Sequence, residues 1–422
     1  MLDIKFIREN SEEVKKGALK KGVNLQIDEL LLLEETYREA STKVQNLQAE
    51  RNAAAKERNI EAGKRIKEEL EGLEKNVKEL KAKLDIELLK IPNLPLAGVP
   101  EGGEDDFEII KTVGDPKAFD FKPRDHLELG EMLDIIDVER AAKVSGARFT
   151  YLKNEAVFLE LALVQFALDT LRKQDFSPVI PPVLIKQEIT QELGYWNEEN
   201  KNNYYLTTNV EEVEKGKDSE NSLYLVGTAE HSIVPMHKDE VIKDKDIPKR
   251  YAGFSPAFRR EAGSYGKDTR GILRVHQFKK VEMVSYVKQE DEMAELNFLT
   301  EIAEKFVSDL GLSYRLIKLA SRDISFPASE TRDIEIWMPA QDKYRETHSV
   351  STTGTFQARR LNIKYQEGSD KKFAVILNGT AFAIGRTLIA ILENYQQPDG
   401  SVLIPEVLQK YTGFEKISPK QS

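Results

Sequence analysis

Two apolar stripes near the N-terminus constrain the fold more than any other feature of this 422-residue chain. From Leu30 the register advances by alternating steps of three and four, through Leu33, Tyr37, Ala40, Val44, Leu47 and Arg51 to Ala54. A second series, Ile66, Leu70, Leu73, Val77, Leu80 and Leu84, repeats the spacing after a breaker segment from Asn59 to Gly63. A stripe this narrow cannot bury itself, so the short break predicts an antiparallel coiled-coil hairpin in which each seam covers the other. Helices of about 30 residues at 1.5 Å per residue would reach roughly 45 Å. The tip is basic, with Arg51, Lys56, Arg58, Lys64, Arg65 and Lys67 against Glu57 and Glu61, in a chain of net charge −10. A polyanion would be drawn to that tip and repelled elsewhere, which makes these six residues candidate contacts to a phosphate backbone. The residues alone leave open a plain spacer or dimerisation coil.

From Pro92 to Gly114 the pattern dissolves into Pro, Gly and acidic residues, which reads as a linker between an arm domain, 1–105, and a larger domain, 106–422. Beyond it come an amphipathic helix near Asn154 to Lys173, the Pro-punctuated FSPVIPPVLI, and several strand-like runs, so the expected class is α+β. The polar stretch Trp196 to Asn221 reads as a surface loop or insertion. With no cysteine, the chain has no thiol nucleophile and no thiolate ligand for zinc, and its five histidines (His126, His231, His237, His276, His348) lack ligand spacing. A metal, if used, should be a hard cation held by oxygen. No apolar run approaches the roughly 20 residues of a membrane span, and charges interrupt the N-terminal MLDIKFIREN, so a cytoplasmic protein without membrane contact is expected.

The chemistry concentrates between Tyr251 and Val287, where two strand-like runs flank a loop with Gly263, Gly266 and Gly271. Residues two apart on a strand share a face, which groups Arg274, His276, Phe278, Lys280 and Glu282 on one strand and Arg259 and Glu261 on the other. Such a face offers cations for phosphate, an aromatic plate for a base and a carboxylate for an amine or hydroxyl. Near the C-terminus, FAVILNGTAFAIGRTLIAILENYQQ reads as a buried strand, a turn and a core helix. Gly379 and Gly385 would let backbone approach a ligand, with Arg386 entering from the helix start. GxxxxGK[ST] and GxGxxG are absent, so no Walker or Rossmann phosphate loop is claimed. Taken alone, a solvated basic hairpin and a tight turn before a core helix remain open readings.

These segments, taken together, resemble the motifs of class II aminoacyl-tRNA synthetases, and specifically of the seryl-tRNA synthetases. The likeness rests on Gly227-Thr228-Ala229-Glu230, FRREAGSYGKDTRGILRVHQFKKVEM, FQARRLNIKY, and LNGTAFAIGRTLIAILENYQQPDG followed by IPEVL, together with the arm. It implies an antiparallel-sheet catalytic domain and serine-tRNA ligase activity, in which serine and ATP give seryl-adenylate and serine passes to tRNA(Ser), and also to tRNA(Sec). It implies a serine pocket of Thr228, Ala229, Glu230, Glu282 and Thr380. Arg259 would hold the α-phosphate and serine carboxylate, and Glu261 would contact the adenine side, next to Arg260. Phe278 and Arg386 would sandwich adenine, with Arg274 on phosphate. Glu346 and Ser349 would hold Mg2+, beside Thr347 and His348, with no zinc required. Arg259, Glu346 and Arg386 would be catalytic, and the Pro-Pro motif near Phe176 to Val183 would lie at a homodimer interface. One departure stands out: the family usually has a Ser-Ser-Cys-Ser-Asn-like run after the metal-binding Glu, where this chain has Thr347-His348-Ser349-Val350-Ser351. His348 by its own chemistry reads as a packed or hydrogen-bonded histidine and not a new base. Two other readings remain: a class II relative that loads a carrier protein, which would resemble a zinc-dependent, armless branch, and a non-catalytic RNA binder, which would have lost Arg259, Glu282, Glu346 or Arg386.

Overall fold

The computed structural model describes residues 1–195, 201–208, 222–262 and 271–420, and divides into two compact units, Met1–Leu94 and Pro95–Ser422. In the first unit the two stripes become helices Ile27–Lys56 and Ile60–Leu89. The break is shorter than the sequence suggests. Asn59 caps the second helix by accepting the Ala62 N–H, so the helix absorbs Gly63 and only residues 57–59 turn. Val44 and Leu47 pack with Ile66 and Leu70 along the shaft. At the base, Ile27, Leu30, Leu84 and Leu88 close against Ile7 and Val14 of the short helices Ile4–Glu9 and Ser11–Lys20. The shaft thus has a thin seam and a true core only at its foot.

The second unit is built on an eight-stranded sheet whose spatial order is Glu108–Val113, Tyr314–Lys318, Glu330–Met338, Lys343–Thr352, Val375–Ala383, Gln277–Val287, Lys249–Phe258, Ser177–Val179. All neighbours are antiparallel except the final pair. Alternation along each strand sorts the side chains into two faces. One face sends Val281, Met283, Ile334, Ile336, Val350 and Phe382 into a core with helices Glu155–Arg172, Glu292–Asp309 and Ile384–Tyr395. The other face is apolar at one end only, where Val284, Tyr286 and Ile376 are covered by Ala229, Ile233, Leu361 and Tyr365. The uncovered part of that face carries the polar residues described below. The segment read as a linker is not free chain: Leu96, Val99 and Phe107 cluster with Ile317, Leu319, Ile324 and Ala328, and 108–113 forms an edge strand.

Candidate active site

Strands Lys249–Phe258 and Gln277–Val287 pair in register, so that Phe278 and Lys280 point to the same side as Arg259 at the strand end. The guanidinium of Arg259 lies 5.4 Å over the Phe278 ring, and its Nε donates to the Gly227 carbonyl at 3.1 Å. Across the pocket Arg386, in the first turn of helix Ile384–Tyr395, pairs with Glu346 at 2.9 Å and donates to the Glu346 carbonyl at 3.0 Å. Desolvation opposes ionisation of Glu346, yet Arg386 and then Arg259 outweigh it and hold the carboxyl below its ordinary value. Glu261, held at φ +51°, turns its carboxylate 3.2 Å from Arg274. The result is one cleft lined by Arg259, Glu261, Arg274, Phe278, Lys280, Glu346, Thr380, Gly385 and Arg386. An aromatic plate and three guanidinium groups around a cleft suit a nucleoside with phosphates.

At the inner end Lys280 reaches 2.6 Å from Glu282 and 3.4 Å from the Thr380 hydroxyl, and Glu282 is only 2 % exposed. Burial pushes the Glu282 carboxyl up, against the opposing pull of Lys280 and Arg259. Glu230 is likewise raised by burial, while the Gln357 amide at 3.0 Å and the Tyr195 hydroxyl at 2.8 Å donate to its Oε1. Gly253 permits this approach. Its register partner is Glu282, and a Cβ at Gly253 would stand 2.1 Å from Ile233, on the short helix that begins at Glu230. Two buried carboxylates, a lysine and the Thr380 hydroxyl therefore form one polar cluster, the inner chamber, and beside it the Thr228 hydroxyl accepts the Glu230 backbone N–H at 3.4 Å. Such a chamber favours a small ligand carrying an amine and a hydroxyl.

Residues 1–95 match the model of the seryl-tRNA synthetase N-terminal domain, and residues 207–395 match that of the class II tRNA synthetase core domain (G, H, P, S and T). The chain is 41 % identical over 431 residues to the serine-tRNA ligase of Corynebacterium glutamicum, covering 99 % of each chain. The chain belongs to the seryl-tRNA synthetase family. Its structure agrees, with a TM-score of 0.90 and 37 % identity to seryl-tRNA synthetase from Pyrococcus horikoshii complexed with ATP, over 100 % of both chains. The cytoplasmic serine-tRNA ligase of Naegleria fowleri in complex with AMP gives 0.88 and 30 %, over 100 % of this chain and 99 % of that one. Membership makes this protein an ATP-dependent aminoacyl-tRNA ligase.

Family-based expectation and geometry diverge at several positions, for reasons of strand alternation. Arg260, past the strand end, is exposed; its backbone N–H donates to the Asn203 carbonyl at 2.9 Å, and it is not among the residues lining the cleft. His348 faces the core, unexposed, with its ring 5.6 Å from Phe382 and Nδ1 2.8 Å from the Thr347 hydroxyl. Burial pushes its pKa down to about 4, so it stays neutral there. A register shift between Ile334 and Glu335 bulges Thr347 and lets Glu346 face the cleft although His348 does not. His276 also stays out, bonded to the Arg259 carbonyl. Gly379 serves packing: a Cβ there would press on Met283 and Val350. Gly263 and Gly266 lie outside the described residues, as does most of Trp196 to Asn221. The described part, 201–208, is no detached loop, because Leu206–Thr207 pairs with Leu223–Leu225 and the Asn203 side chain accepts the Ala262 N–H at 3.0 Å. Asn203, Tyr195, Lys280 and Gln357 are the positions that pattern reading missed as site residues. Lys280 was already on the right face; the other three became visible only once the chain had folded. The six tip residues are all exposed, with Lys67 3.9 Å from Glu71.

Proposed function

We propose that the protein activates L-serine with ATP to seryl-adenylate and transfers serine to the 3′ end of tRNA(Ser), and of tRNA(Sec). The observation that carries this reading is that Lys280 and Thr380, which line the nucleotide-shaped cleft, also contact the buried Glu282, which interacts with the buried Glu230. Serine's amine and hydroxyl meet carboxylates and threonines in the chamber. Alanine would leave them unpaired, which disfavours it. Adenine would lie between Phe278 and Arg386, with Arg274 on phosphate and Ala229 closing the chamber wall. The serine carboxylate then attacks the α-phosphorus in line and pyrophosphate leaves. Arg259 offsets charge developing there, and orientation replaces a protein base. In the second step the terminal ribose hydroxyl attacks the activated carbonyl and AMP departs.

Mg2+ fits the donors available. Glu346 contributes a carboxylate, Ser349 a hydroxyl, and the adjoining Asp333, which accepts from Ser349, keeps a buried Oδ1 without a partner. Among the described residues no group of three His, Cys, Asp or Glu could hold a metal unaided, which suits an ion that keeps phosphate and water ligands. When bound it supplies neutralisation of phosphate charge. The basic hairpin tip would hold the tRNA backbone. Exposed Phe158, Leu161 and Ile180, on helix Glu155–Arg172 and just past the edge strand, support a homodimer through that face. No described helix is long and apolar enough to cross a membrane, in keeping with a cytoplasmic enzyme. Serine-dependent ATP–pyrophosphate exchange, followed by charging of tRNA(Ser), tests the whole; exchange supported equally by alanine or glycine would sink it.

A further inference from the structure

Glu393 lies two turns beyond Arg386 on helix Ile384–Tyr395 and is 0 % exposed, yet the reaction outlined above does not use it. A carboxylate so buried persists only where donors surround it. Oε1 accepts from the His126 backbone N–H at 3.3 Å and the Gln341 amide at 3.4 Å, and His126 Nδ1 lies 3.2 Å away; Oε2 accepts from the Ala340 N–H at 3.2 Å. The opposite edge of the His126 ring meets the Ile272 backbone N–H, 3.2 Å from Nε2. A peptide N–H only donates, so Nε2 carries no proton, and the ring's proton sits on Nδ1, where it donates to Glu393. The contact is tight: Gly271 has φ +76°, and a Cβ there would stand 2.0 Å from Nε2.

Each end of this relay leads to the nucleotide cleft. Ile272 opens the run 272–275 that forms one cleft wall and carries Arg274. Ala340 and Gln341 turn between the strands Glu330–Met338 and Lys343–Thr352, the second of which bears Glu346. Arg386 shares a helix with Glu393. We infer that His126, backed by Glu393, is a positioning residue for ATP: by accepting the Ile272 N–H it sets the path of 272–275, and so the place of Arg274, without touching nucleotide. The inference rests on the ATP reading of the cleft.

The test compares the unaltered enzyme with His126→Phe and His126→Gln in serine-dependent pyrophosphate exchange, with KM for ATP and for serine measured separately. Phe fills the space but cannot accept, whereas the Gln amide both accepts and donates. His126→Phe should raise the ATP KM about tenfold, leaving the serine KM and kcat within about twofold, and His126→Gln should recover most of the loss. Should the Phe variant not fold, Gly271→Ala, which forces the peptide off the ring, should raise the ATP KM in the same selective way. An unchanged ATP KM in these variants, or a loss shared equally by ATP and serine with no recovery in Gln, overturns the inference. If the unaltered enzyme shows no serine-dependent exchange, the proposed function fails instead. Dissociation constants for a non-hydrolysable ATP analogue then decide the relay by the same tenfold contrast.

Discussion

The hairpin and the sheet face solve opposite problems with the same chain. Along the shaft Val44, Leu47, Ile66 and Leu70 each have a buried partner three or four positions away on their own helix and others across the turn, and the six basic tip residues are all in water. On the sheet, Glu230, Arg259, Glu282, Glu346 and Arg386 come from segments spread over more than 150 positions, and two of them, Glu230 and Glu282, are buried. The lesson is that charge acts differently in the two places. At the tip it is cheap, screened by salt and interchangeable, so it suits a long flexible polyanion. In the chamber each charge costs desolvation and is tolerated only against a specific partner, which on the proposed reading would tell serine from alanine.

The hardest test of that contrast is Arg259→Ala. Exchange should fall by about 10³-fold, because the cation acts mainly on charge that develops at the α-phosphorus, while affinity for tRNA stays within about twofold. Near-normal exchange in the folded variant would remove Arg259 from the chemistry. The converse change removes residues 38–76 and joins the helices through a short Gly linker, keeping the apolar foot of Ile27, Leu30, Leu84 and Leu88. Transfer of serine to tRNA should drop about 10²-fold with exchange unaltered, since no cleft residue lies in the excised part. Charging at normal efficiency would reduce the arm to a spacer.

The same contrast governs what could be read before folding. Heptad spacing is local, so the hairpin was legible from Leu30 to Leu84, with the break set too late at Asn59 to Gly63, because the Asn59 cap starts the helix at Ile60, and with Arg51, placed in the stripe, left exposed. Residues two apart on the strands after Tyr251 were legible as one face for the same reason, which located Phe278, Lys280 and Glu282. His348 was legible as a packed histidine, and family likeness placed it beside the nucleotide only because likeness names a segment, whereas alternation and one bulge decide which of its side chains reach the cleft. Asn203, Tyr195 and Gln357 could not be found by any local rule. Their roles arise from contacts with Ala262 and Glu230 made across loops and sheet.

Lys280 sharpens the chamber half of the comparison. It lies 2.6 Å from Glu282 and counters the burial that raises that carboxyl. Replacing it in Lys280→Met removes a pull toward ionisation, so the Glu282 pKa must rise further, and the carboxylate that meets serine will be lost at higher pH. The acid limb of serine-dependent exchange should therefore move to higher pH, with the serine KM at neutral pH raised about tenfold. A limb that stays in place, or moves toward lower pH, would detach Glu282 from serine recognition.

The smallest effect belongs to the tip. Lys56, Arg58, Lys64 and Arg65 are exposed, and the structure gives none of them a salt bridge, so their replacement by Gln should leave helix content and exchange untouched. Each contact to a phosphate releases counterions, and for a nucleic acid this adds roughly 0.7 to 0.9 to the slope of log affinity against log salt. If all four contacts are made, the slope for tRNA should flatten by about 3, while affinity at about 0.6 M salt, where screening already weakens exposed charge, falls only about fivefold. The slope is the decisive quantity. A spacer coil, or a tip that binds through shape alone, could lose affinity after four substitutions but would keep its salt dependence. A slope unchanged by the four replacements would therefore break the proposed division between a screened, interchangeable charge at the tip and a desolvated, specific one in the chamber.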